Sequence, residues 1–88
     1  MNLTDEDLDD LRWAAIGSCP GKSAVVKEAC AVLSSLGDFA IPDVVIFPGG
    51  RTDSPESQAC WVRVGLLRPG ISDECREVLL QFLAYLSL

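Results

Sequence analysis

Apolar residues recur at helical spacing near both ends of the chain and alternate in its middle. Over residues 5–16, Leu8, Leu11, Ala15 and, at the margin, Ile16 share one face of a helical wheel. Glu6, Asp9 and Asp10 take the other, with Trp13 between them. Thr4 stands three positions before Asp7, a capping-box variant with an acid where Glu or Gln is usual, and further acids crowd the first turn. Oxygens in those places satisfy unpaired amides and complement the helix dipole, so the spacing predicts a helix over 5–16. Gly17-Ser18-Cys19-Pro20-Gly21 breaks it, and Pro20 suits the first turn of a second helix.

That second helix is expected from about 21 to 36, stopping at Gly37. Val25, Val26, Ala29, Cys30, Val32, Leu33 and Leu36 cover most of its circumference, leaving Lys27, Glu28, Ser34 and Ser35 as a polar stripe. A helix so widely apolar belongs at the centre, with neighbours on two sides.

Val44-Val45-Ile46-Phe47, fenced by Pro42 and Pro48, reads as a short buried strand. Residues 48–58 collect turn formers and read as a surface loop. From 60 to 67, Cys60, Val62, Val64 and Leu66 alternate with Trp61, Arg63, Gly65 and Leu67, the pattern of a half-buried strand. Paired antiparallel with 44–47, it makes a hairpin. Arg68-Pro69-Gly70 ends it, and Ser72-Asp73-Glu74 opens a last helix. Cys75, Val78, Leu79, Phe82 and Leu86 form the core face of that helix, widened by Leu80 and Leu83. The expected fold is a single α+β domain over 1–88, in the order α-α-β-β-α, with an antiparallel β-hairpin packed against helices.

Composition supports a folded domain. Of the 88 residues, 49% are hydrophobic, which is too many for disorder. No apolar run approaches the ~20 residues needed to cross a bilayer. The acidic start lacks the basic opening of a secretory signal, so the expected location is cytoplasmic. The net charge of −6 disfavours nucleic acid and anionic membrane as direct partners. The four cysteines, Cys19, Cys30, Cys60 and Cys75, form no C-x-x-C pair and are read as free thiols. With no histidine in the chain, neither a zinc site nor any other cofactor is expected.

Three patterns resemble chemistry. Gly17-Ser18-Cys19-Pro20-Gly21-Lys22-Ser23 is one residue short of a phosphate-binding loop, and it follows a helix where that loop requires a strand. It reads as a helix–helix turn. Cys19 precedes a helix start with Lys22 nearby, but no histidine is present to activate it as a nucleophile. Residues 5–10 hold five carboxylates in a solvated first turn, without the cleft that acid–base catalysis needs and without the glycine of a calcium loop.

The expected function is therefore binding and not catalysis. A tryptophan among carboxylates offers a large amphipathic contact together with charges that steer a basic partner. Glu6, Asp9, Asp10 and Trp13 form the first candidate surface, and Trp61 with Arg63 on the outer strand face the second. The expectation is a small acidic inhibitor or adaptor docking on a basic protein surface, such as that of a nucleic-acid-handling complex. Phage-encoded inhibitors of bacterial defence systems are its concrete form, on grounds of size and charge alone. The alternative is an assembly subunit that uses the unpaired hairpin edge, by homodimerisation or by joining a partner's sheet. A thiol enzyme working through Cys19 is the third reading.

Overall fold

The computed structural model describes residues 3–17, 19–35 and 55–87. Within them the regular elements are all helices: α1 (Asp5–Ile16), α2 (Ala24–Ser35), α3 (Pro55–Leu66) and α4 (Asp73–Leu86). The expected α+β fold is thereby corrected, because the described residues contain no strand. The proposed strand at 44–47 and most of the hairpin tip lie outside the described residues. The proposed strand at 60–67 is the body of α3, and the edge that was to support oligomerisation goes with it.

The reason is legible in α3 itself. Gln58, Val62 and Gly65, at i, i+4 and i+7, are buried together with Ser57, Ala59 and Val64. Two of the inner positions on that stripe are polar or bare, so apolar periodicity misses the helix, while Cys60, Val62, Val64 and Leu66 mimic alternation. The overlooked signal is Pro55-Glu56, a proline at the first helical position followed by an acid.

The other helices start where their caps dictate. At α1, Thr4 Oγ1 accepts the Asp7 amide and Asp7 Oδ2 accepts the Thr4 amide, both at 3.1 Å, the reciprocal box expected from the spacing. At α4, the Ser72 hydroxyl accepts the Cys75 amide at 3.1 Å. α2 begins later than its apolar pattern suggests. Gly21 has φ +77, and the Ser23 hydroxyl accepts the Val25 amide at 3.2 Å, so the chain turns before it coils.

α2 lies centrally, packed against α1, α3 and α4, as its wide apolar surface requires. α3 also packs on α4, and α1 on α3. Leu11, Val26, Leu33, Val62, Val78, Leu79 and Phe82 are completely buried at the common centre. Leu80 is a correction on α4: it is half exposed and lies outside the core.

Polar ties lace the bundle together. The Ser34 hydroxyl of α2 accepts the Cys19 amide at 3.1 Å and donates to the Cys19 carbonyl at 3.3 Å. The Arg68 guanidinium donates to the Ser35 hydroxyl. Glu28 of α2 receives both the hydroxyl and the amide of Ser72, at 2.6 and 3.0 Å.

Candidate functional site

The acids of α1 divide by role. Asp7 and Asp10 are buried. Asp7 closes the capping box, and Asp10 Oδ2 accepts the Lys22 amide at 3.0 Å, pinning the turn that leads into α2. Asp10 is thus corrected from a solvated face residue to an internal one. Glu6 and Asp9 stay exposed, but neither is a bare charge. Lys22 Nζ lies 3.4 Å from Glu6, and the Arg12 guanidinium lies 3.8 Å from Asp9. The hydrogen bond and charge of Glu6, followed by the charge of Asp10, raise the Lys22 pKa.

These contacts also settle the phosphate-loop lookalike. Helix α1 precedes it, the Lys22 amide already serves a carboxylate, and the Lys22 ammonium faces Glu6. Its described residues, 17 and 19–23, lie in the connection between α1 and α2. Gly21 is buried within it, and a Cβ there would lie 3.2 Å from Cys30 Sγ.

Trp13 is 59% exposed. With Asp9, Arg12 and Ile16 it lines a hollow of about 300 Å³. A second hollow of about 450 Å³ is lined by Asp5, Glu6, Leu8, Asp9, Arg12 and Tyr85. Asp9 and Arg12 border both, so the two run on along one side of α1. Tyr85 of α4 is 42% exposed, and its ring stacks on buried Phe82 with centroids 6.4 Å apart. Sequence reasoning singled out Glu6, Asp9 and Trp13 among the lining residues but missed Arg12, Ile16 and Tyr85 as part of the site. The Asp9–Arg12 spacing of three was the available sign of Arg12. Nothing in sequence spacing joins Tyr85 to α1.

Trp61 and Arg63, placed together on an outer strand face by their alternation, sit on α3. Trp61 is half-buried against the core and Arg63 is exposed. Neither lines the α1 hollows. The four cysteines are free thiols. Burial, then the neighbouring Cys19, pushes the Cys30 thiol up to about 12, and burial pushes Cys75 up to about 11. Among the described residues no group of acids and cysteines is arranged to hold a metal ion. Nor is any helix there long and apolar enough to cross a membrane. No family model, curated protein or solved structure matches the chain.

Proposed function

We propose that the chain is a protein-binding module, a stoichiometric inhibitor or adaptor, which docks the outer face of α1 on a basic surface of its partner. The observation that supports this most is the 59% exposure of Trp13 beside the Asp9 carboxylate. An indole left more than half in solvent on an otherwise well-packed helix keeps apolar area whose burial, at ~25 cal/mol per Å², a partner can still recover. Glu6 and Asp9 supply the steering charge, and their weak exposed pairs with Lys22 and Arg12 exchange readily for a partner's cations. Asp10 has no part in docking, since it holds the fold. Nucleic-acid-handling proteins offer extended basic surfaces of the required kind.

Affinity capture from the native cell tests this reading, with wild type compared against Trp13→Ala and the Glu6→Lys/Asp9→Lys pair. A basic protein should be retained by wild type at low salt, released at high salt, and lost from both variants while their helical content and melting stay unchanged. Undiminished capture by the variants at low salt refutes the proposal.

A further inference from the structure

We infer that the groove along α1 takes a two-part epitope from a partner helix: an arginine side chain in the hollow beside Tyr85, and an apolar side chain one turn away against Trp13 and Ile16. This rests on the reading of α1 as the docking face and adds to it the chemistry and spacing of the occupant.

The two ends of the groove differ in kind. At one end Asp5, Glu6 and Asp9, three carboxylates against the one guanidinium of Arg12, surround Leu8 and Tyr85. Asp5 has no ion pair among the described residues, while Glu6 and Asp9 each hold one exposed cation at 3.4 and 3.8 Å. The Tyr85 ring is held in place by its stack on Phe82, so an aromatic platform stands ready beside carboxylates. A planar guanidinium can stack on such a ring and meet carboxylates through a two-pronged hydrogen bond, and an ammonium cannot do both.

At the other end, Trp13 and Ile16 offer apolar surface with Arg12 on the border. Arg12 borders both hollows, but here it meets the single carboxylate Asp9, whereas three carboxylates outnumber it at the Tyr85 end, so an uncharged side chain is the fitting occupant here. The residues of α1 lining the two hollows are offset by four to five positions. At the rise of a helix this is roughly 6–7 Å, close to the i to i+4 spacing of side chains on a partner helix. The groove therefore reads both charge and order along the partner.

The test titrates the isotope-labelled full chain, followed by NMR, with alanine-based peptides long enough to be helical (~17 residues). Each carries one arginine and one leucine four positions apart, in either order. Controls replace arginine with glutamine or lysine, or leucine with alanine. At low salt, one order should bind roughly tenfold tighter than the glutamine and alanine controls and measurably tighter than the lysine control. Shifts should centre on the Trp13 indole N–H, Asp9 and Tyr85. Tyr85→Leu should remove the advantage of arginine over lysine alone, and Trp13→Ala the advantage of leucine alone.

Equal binding by the pair and its controls, or shifts confined to another face, would overturn the inference. The two readings fail separately. If charge reversal on α1 abolishes capture of the cellular partner while the peptides show no preference, the docking face stands and the two-part epitope falls. If charge reversal leaves capture unchanged, the docking face itself falls.

Discussion

Gly21 and Gly70 both occupy left-handed backbone, at φ +77 and φ +85, but only Gly21 is crowded. An alanine at 70 meets open space and bears only the conformational cost, about 1–2 kcal/mol. At 21 the same change also drives a methyl to 3.2 Å from Cys30 Sγ. Urea denaturation should show Gly21→Ala as clearly the more destabilised of the two. The cysteines divide in the same local manner. Cys30 and Cys75 are buried, with thiols pushed up to about 12 and about 11, whereas Cys19 and Cys60 are half-buried. An aromatic disulfide reagent at mildly alkaline pH should modify Cys19 and Cys60 first and reach the other two only on unfolding. The burial of Cys30 and Cys75 was legible from their places on apolar helix faces, but the division among the acids was not, since five clustered carboxylates look equally solvated in sequence.

The helices stand on caps, and two of these reach across the fold. Thr4→Ala removes the local box of α1 and should cost about 1 kcal/mol. Asp10→Ala leaves the Lys22 amide without its carboxylate and should cost about 1–2 kcal/mol, although Asp10 reads in sequence as one more surface acid. At the start of α4, Ser72 caps the helix while Glu28 of α2 receives its hydroxyl and amide. Those hydrogen bonds, the hydroxyl first, hold the Glu28 carboxyl below its usual pKa of 4.5. A depressed folded-state pKa means that the stabilisation is complete above the ordinary value and fades as pH falls toward the folded one. Glu28→Gln should therefore melt below wild type at neutral pH, and the gap should narrow as the pH is lowered through 4.5. The caps of α1 and α4 were legible because Thr4 and Ser72 act on amides within three residues. The cross-helix partners of Ser72 and Lys22 were not, because their carboxylates lie on other helices.

At the scale of the molecule, one core serves all four helices, with Phe82 completely buried in it. Phe82→Ala should cost about 3–5 kcal/mol and should also loosen Tyr85, which stacks on that ring. Chemical denaturation measures the first effect, and the Tyr85 ring resonances report the second. Three of the helices, the central place of α2 and the break between α1 and α2 follow from patterns within a few residues: apolar spacing, caps and breakers. Residues 60–66 did not follow, because a period of two and a period of 3.6 place similar demands on so short a run. In the fold these residues pack as a helix against α1, α2 and α4, with Ala59, Val62 and Val64 buried beside Ser57, Gln58 and Gly65. The candidate site divides along the same line. Acids beside a tryptophan on α1 could be read from one turn of sequence, but the exposure of that indole could not. The removal of Asp10 from that face and the arrival of Tyr85 beside it depended on how the helices pack, since only packing brings together groups that the chain keeps far apart.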